Sequence, residues 1–144
     1  MQTGIYRILD ATTNRGREAI RVIEDAIRFV CDDSTITSKL KTLRHEFASL
    51  TGRFPPELRM NARATEEDVG TTIAADGEYL RSSMNEVITA NFARLEESLR
   101  SIEEFSKMVF PDVSPGVEQL RYYSYTLERQ VFERLKRWEE QKQR

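Results

Sequence analysis

One block of charged and apolar residues occurs twice in this chain at a fixed separation, and that repetition limits the fold more than any other feature. Arg15-x-x-Glu18-Ala19-Ile20-Arg21-x-Ile23-Glu24-Asp25 lines up with Arg94-x-x-Glu97-Ser98-Leu99-Arg100-x-Ile102-Glu103-Glu104, each pair 79 residues apart, and Ala11 and Ala90 keep the same offset. Leu43-Arg44 matches Leu120-Arg121 at an offset of 77, so the change of two residues falls in the turn between paired helices. Polar positions recur along with the apolar ones, which argues for duplication of a helical hairpin. Two such hairpins packed on one another predict an all-α four-helix bundle with approximate two-fold symmetry.

Apolar spacing supplies the elements. Ile20, Ile23, Ile27 and Val30 recur at three and four residues, which predicts a helix from about Ala11 to Cys31 with Asp10 as its N-cap. Ala19, Val22, Ala26 and Phe29 widen its apolar stripe. A second helix, about Thr35 to Leu50, rests on Ile36, Leu40, Leu43, Phe47 and Leu50; Ser34 is its candidate cap and Gly52 lies just beyond its end. Ser83 and Glu86 form a capping box for a third helix reaching about Met108. Ser114 followed by Pro115 opens a fourth, whose seam is Val117, Leu120, Leu127, Val131, Leu135 and Trp138. The expected organisation is one helical domain over residues 1–144, with repeats at about 10–51 and 83–128. A long irregular loop over 53–82 joins them, and a charged helical tail over 129–144 projects past the other helices. Loops of that length inside a compact domain are uncommon and often functional.

Composition removes several classes of function. The formal net charge of the 144 residues is −2, so no global positive field draws in nucleic acid or anionic lipid, and an anionic ligand must be held by a local cluster of arginines. No apolar run approaches the ~18 residues that span a bilayer. Met1-Gln2-Thr3-Gly4 lacks the basic and apolar segments of a signal peptide, and the single Cys31 excludes an intrachain disulfide, so a cytoplasmic location is expected. Neither G-x-x-x-x-G-K-[ST] nor G-x-G-x-x-G occurs, and no Cys/His cluster suggests zinc. His45 reads as a surface residue and Cys31 as a small core residue. Tyr122, Tyr123 and Tyr125 cannot all face one way, so some are expected in the core.

The repeat also singles out polar residues. On a wheel at about 100° per residue with Ile20 at the origin, an apolar arc drawn through Ile27, Ile23, Val30, Ala26, Val22 and Phe29 covers about half the circle. Arg15 falls within that arc near Ala26, with Glu18 on its rim, and Arg94 and Glu97 repeat the arrangement. A core-facing arginine must be paired or liganded. Two readings follow: ion pairs across the pseudo-dyad, Arg15 with Glu97 and Arg94 with Glu18, or a site for an anion. Arg44 and Arg121 flank the seams of their helices, either as solvated arginines with buried stems or as further anion ligands. Asp68-Val69-Gly70-Thr71-Thr72 suits either an ordinary turn or one whose N–H groups and hydroxyls meet phosphate, with Asp68 near a metal.

The run Tyr6-Arg7-Ile8-Leu9-Asp10-Ala11-Thr12-Thr13-Asn14-Arg15-Gly16-Arg17-Glu18-Ala19-Ile20-Arg21-Val22-Ile23-Glu24-Asp25 resembles the small helical domain found ahead of thiamine-phosphate synthase in many bacteria. So do Leu43-Arg44-His45, Asp68-Val69-Gly70-Thr71, Ala90-Asn91-Phe92-Ala93-Arg94-Leu95-Glu96-Glu97 and Leu120-Arg121-Tyr122, and the similarity reaches about Glu128. The resemblance is to a hydroxymethylpyrimidine-phosphate kinase family. It implies phosphoryl transfer from ATP, with Mg²⁺, onto the phosphate of 4-amino-5-hydroxymethyl-2-methylpyrimidine phosphate. It implies that Arg15, Arg94, Arg44 and Arg121 clamp phosphates and that Glu18 and Glu97 orient them or hold Mg²⁺. Asp68 is then the metal ligand, Gly70 and Thr71 lie at a phosphate, and Asn91 reads the pyrimidine. The first copy has Ala11-Thr12 where the family usually reads Ala-Asn, which the second copy keeps as Ala90-Asn91. No synthase barrel follows within these residues, so the expected partner is a thiamine-phosphate synthase on a separate chain. A homodimer is compatible with the sequence. The competing class is a non-enzymatic helical module that binds a phosphorylated metabolite or a thiamine-pathway protein.

Overall fold

The three- and four-residue apolar spacing produces five helices in the computed structural model, which describes all 144 residues. They are α1 (Gln2–Phe29), α2 (Ser34–Thr51), α3 (Pro56–Ala62), α4 (Met84–Val109) and α5 (Ser114–Lys142), with a 3₁₀ turn at Thr65–Glu67. Helix α1 packs most extensively on α4, each long helix carries its hairpin partner, α2 against α1 and α5 against α4, and α2 and α5 also touch. The all-helical bundle is therefore as the repeat predicts. Ile20, Ile23, Ile27, Leu40, Leu43 and Phe47 of the first hairpin are fully buried with Phe92, Leu95, Leu99, Ile102 and Leu127 of the second, in one shared core. Helices α1, α2 and α4 pack tightly at Gly16, where a Cβ would come within 2.7 Å of the Phe47 ring and 3.4 Å of Ser98 Cβ.

The helix ends explain where the sequence boundaries were displaced. Helix α1 begins nine residues earlier than expected, at Gln2, so Asp10 is a buried residue of its interior and not its N-cap. Asp33, not Ser34, caps α2: its Oδ1 accepts the Ile36 N–H at 2.8 Å. That backbone bond, followed by the Arg134 side chain, holds the Asp33 carboxyl below its ordinary pKa. The turn between α1 and α2 contains the positive-φ residue Asp32. Gly52 follows α2 directly, as its position predicts, and keeps a right-handed conformation there. Ser83 caps α4 as predicted, while the return half of the box is shifted, with Glu86 accepting the N–H and hydroxyl of Ser82 at 2.7 Å each. Ser114 does not cap α5; its hydroxyl donates to the Glu103 carbonyl of α4 at 3.0 Å.

Two larger expectations are corrected. The segment 53–82 contains α3, which packs on α1, and the 3₁₀ turn, so its first half is ordered secondary structure. The segment 129–144 does not project freely along its length. Val131 and Leu135 are buried, Trp138 packs on the core, and Arg134 donates to Asp33 at 2.7 Å and to the Cys31 carbonyl at 2.9 Å. Tyr122, Tyr123 and Tyr125 are all exposed, so none enters the core. Cys31 is buried and His45 exposed, as the pattern suggested.

Candidate functional site

The first half of α1 carries polar residues on one face: Arg7, Ala11, Asn14 and Arg15 follow helical spacing, and Asp10 lies beside them. The segment leaving α3 crosses this face. Together they form a cleft of about 550 Å³ lined by Arg7, Asp10, Asn14, Arg15, Arg63, Thr65 and Asp68, with Ser101 contributed by α4. Only three of its 13 lining residues are hydrophobic. Such a lining suits a charged ligand, because it offers guanidinium and hydroxyl donors to phosphate oxygens.

Asp10 anchors the cleft. It is 5% exposed, and its two oxygens accept Arg63 Nε and Nη2 at 2.7 and 2.8 Å, a bidentate bond bridging 53 residues of chain. Arg59 Nη1 lies 3.8 Å from the same carboxylate. The bonds to Asp10 push the Arg63 guanidinium above its already high pKa.

The residues singled out from sequence divide into several groups. Arg15 and Asp68 meet in the cleft. Gly70 and Thr71 lie just beyond it in an exposed turn, where the Gly70 N–H donates to Asp68 Oδ1 at 2.8 Å and the Thr71 hydroxyl to the Asp68 carbonyl at 2.9 Å. Arg94 and Glu18 form one of the two cross-dyad pairs, at 3.3 Å, with side chains 51% and 64% exposed. Its symmetry mate does not form: Glu97 lines a separate groove between α4 and α5 with Arg100 and Tyr125. Asn91 is half-buried and donates its side-chain amide to the Val87 carbonyl of its own helix at 2.8 Å.

The placement of Arg15 and Arg94 on a core-facing stripe is overturned, since both are exposed. The arc was drawn too wide: Val22 and Phe29, which defined its far side, are 39% and 64% exposed. Arg44 and Arg121 are corrected in the opposite sense. Arg44 Nε donates to Glu24 at 2.8 Å, and Arg121 Nε donates to Glu103 at 2.9 Å; the two carboxylate side chains are 1% and 5% exposed. These are equivalent pairs in the two repeats, one joining α1 to α2 and the other α4 to α5. The Tyr125 hydroxyl and the Glu103 carboxylate hold the Arg121 guanidinium further above its ordinary pKa. Glu24 sits about 40° from Ile20 on the wheel, on the side away from Ile27, Ile23 and Ala26, so periodicity does not mark it as buried and only the packing of α2 on α1 does.

Arg7, Asp10, Asn14, Arg63, Thr65 and Ser101 are polar cleft residues that sequence reasoning missed. In the sequence Asp10 has the character of a helix cap, and Arg63 and Thr65 stand in a segment without periodicity. No group of three or more His, Cys, Asp or Glu side chains comes together as a ready-made metal site. The largest carboxyl perturbation lies outside the cleft: burial, then Glu128 of α5, raises the Glu96 carboxyl to about 8.

The pseudo-symmetry does not extend to the cleft. At the offset of 79, Arg7, Asp10 and Asn14 correspond to Glu86, Thr89 and Ala93. Fold and site thus define a duplicated helical bundle with an arginine-lined cleft, built by α1 and the segment that leaves α3, with Ser101 from α4. The ThiD2 family model matches residues 7–130, and the chain belongs to that family. It is 42% identical over 128 residues to a thiamine-phosphate synthase of Nostoc punctiforme, covering 89% of this chain and 35% of that protein. Over 124 residues it is 40% identical to the thiamine-phosphate synthase of Gloeobacter violaceus, covering 86% of this chain and 35% of the relative. A more distant relative, the Rhodopirellula baltica protein of the same name, is 34% identical over 127 residues, 88% and 34% of the two chains. The chain therefore spans about a third of the length of the curated relatives it matches. No solved structure matches it. No helix is long and apolar enough to cross a membrane.

Proposed function

We propose that this chain is a thiamine-pathway phosphotransferase that converts 4-amino-5-hydroxymethyl-2-methylpyrimidine phosphate to the diphosphate with ATP. The observation that carries the reading is the polar cleft in which Arg7, Arg15, Arg63 and Asp68 converge. The motif resemblance and the family's relation to thiamine-phosphate synthases supply the substrate class. An oxygen of the acceptor phosphate attacks the terminal phosphorus of ATP, a new P–O–P bond forms, the bond to the leaving ADP breaks, and no proton need be abstracted from the nucleophile. Catalysis then consists of positioning and charge neutralisation, which the cleft arginines are suited to provide.

Mg²⁺ commonly takes one or two carboxylates together with substrate phosphates and water. Asp68 fits that demand: Oδ1 is occupied by the Gly70 N–H, and its second oxygen makes no hydrogen bond. The ion would neutralise charge on the transferring phosphates. Of the residues expected from the motifs, we retain Arg15, Asp68, Gly70 and Thr71 around the ligand. We assign Arg44 and Arg121 to holding the hairpins together. Arg94, Glu18, Glu97 and Asn91 stand outside the proposed site. A thiamine-phosphate synthase unit is the proposed consumer of the product.

The test is incubation of the purified protein with ATP, Mg²⁺ and the monophosphate, following ADP and pyrimidine diphosphate. Formation of both in equal amounts is expected. Calorimetric binding of the monophosphate without ADP would instead establish a binding module.

A further inference from the structure

We propose that Arg63 is a phosphate-binding residue of the cleft and that Asp10 is its positioning residue. The inference rests on the reading of the cleft as a phosphate site. A guanidinium carries five N–H donors in a flat fork with more than one edge able to engage two acceptors. Asp10 takes the Nε–Nη2 edge in a bidentate bond at 2.7 and 2.8 Å. The Nη1 donors and the second Nη2 hydrogen remain. The Arg63 side chain is 40% exposed while Asp10 is almost wholly buried, so the pair is anchored on the helix side and open on the cleft side. A phosphate can therefore occupy the free edge while the carboxylate keeps the other.

Asp10 is fixed by its own position inside α1, eight residues from the helix start, with the buried Leu9 preceding it. It transmits that rigidity to a residue at the end of α3 that would otherwise swing with its segment. Arg59 stands second to Arg63 at this carboxylate, since its Nη1 is 3.8 Å away, beyond hydrogen-bond range. The clasp also sets where Thr65 and Asp68 stand, because they follow Arg63 closely in the chain. Asp10 acts through Arg63 without touching the ligand.

The experiment compares the wild type with Asp10→Asn, Arg63→Ala, Arg63→Lys and the Asp10→Asn/Arg63→Ala double variant. The readouts are calorimetric affinity for inorganic pyrophosphate, KM and kcat for the monophosphate, and Tm. Arg63→Ala is expected to weaken pyrophosphate binding and raise KM by about tenfold to a hundredfold, the range of a lost charge-assisted fork. Arg63→Lys keeps the charge and loses the fork, so it should recover only a small part. Asp10→Asn should weaken binding by about tenfold alone and by less than about twofold in the Arg63→Ala background, since effects of coupled residues do not add. A merely structural Asp10 lowers Tm and leaves pyrophosphate affinity unchanged. Multiplying effects in the double variant, wild-type affinity in Arg63→Lys, or a wild type that fails to bind pyrophosphate each overturn the proposal. Arg63→Lys lies at a partly exposed position and decides the matter even if Asp10→Asn does not fold. Pyrophosphate binding with no turnover in the wild type would sink the kinase reading and leave the clasp intact.

Discussion

Replacing Arg44 with Met tests whether the repeated carboxylate–arginine pairs are structural. Glu24 is 1% exposed at its side chain; Oε2 accepts Arg44 Nε at 2.8 Å, and Oε1 has no hydrogen-bond partner. Removing Arg44 leaves only the exposed Arg21, 3.7 Å away, near a buried carboxylate. Breaking one partner of a buried pair costs about 3–5 kcal/mol. Arg44 is 21% exposed and water reaches the vacated side, so the lower end, about 3 kcal/mol, is expected. For a chain of this size that is a fall in Tm of roughly 10 °C. The double substitution Glu24→Leu/Arg44→Met removes the stranded charge and should be near neutral or modestly stabilising. Urea and thermal denaturation followed by circular dichroism give both values. The reasoning is refuted if Arg44→Met costs under about 1 kcal/mol, the range of a surface pair, or if the double variant is less stable than the single. Below its melting temperature Arg44→Met should keep the wild-type pyrophosphate affinity, because Arg44 is absent from the cleft lining.

Stability should fall as pH rises from about 4.5 through about 8, because the folded state raises the Glu96 carboxyl to about 8 from 4.5. The native protein retains a proton that the unfolded chain has already released. Glu96→Gln should flatten that part of the Tm–pH curve; an unchanged slope would remove Glu96 as its source. Arg94→Met should change stability by no more than about 0.5 kcal/mol in urea denaturation, since exposed ion pairs contribute little; a cost above about 2 kcal/mol would show that its pair with Glu18 is not surface-like. Gly16→Val should destabilise by about 1–3 kcal/mol through overpacking, because the first added carbon already meets the Phe47 ring at 2.7 Å; thermal melts indistinguishable from wild type would mean that the ring yields freely.

The duplicated pattern was enough to specify the bundle. Helix formation and core direction depend on side-chain spacing within one element, so Ile20, Ile23, Ile27, Leu40, Leu43 and Phe47 could be assigned from the chain alone. Ser83 capped its helix as expected because a cap is a contact across three residues. Partners separated by many residues were less legible. Glu24 and Arg44 were visible as repeated positions, but only packing of α2 on α1 turned them into a pair. Arg15 looked core-facing because Val22 and Phe29 are apolar, and apolar residues need not be buried. Whether that side of α1 faces solvent was decided by where α4 and α3 pack. Asp10 and Arg63, 53 residues apart, carried no joint signal; a bidentate bond between them exists only after α3 has folded back over α1. Local periodicity therefore determined the elements and the core, and the docking of those elements decided which charged residues became structural pairs and which were left facing a cleft.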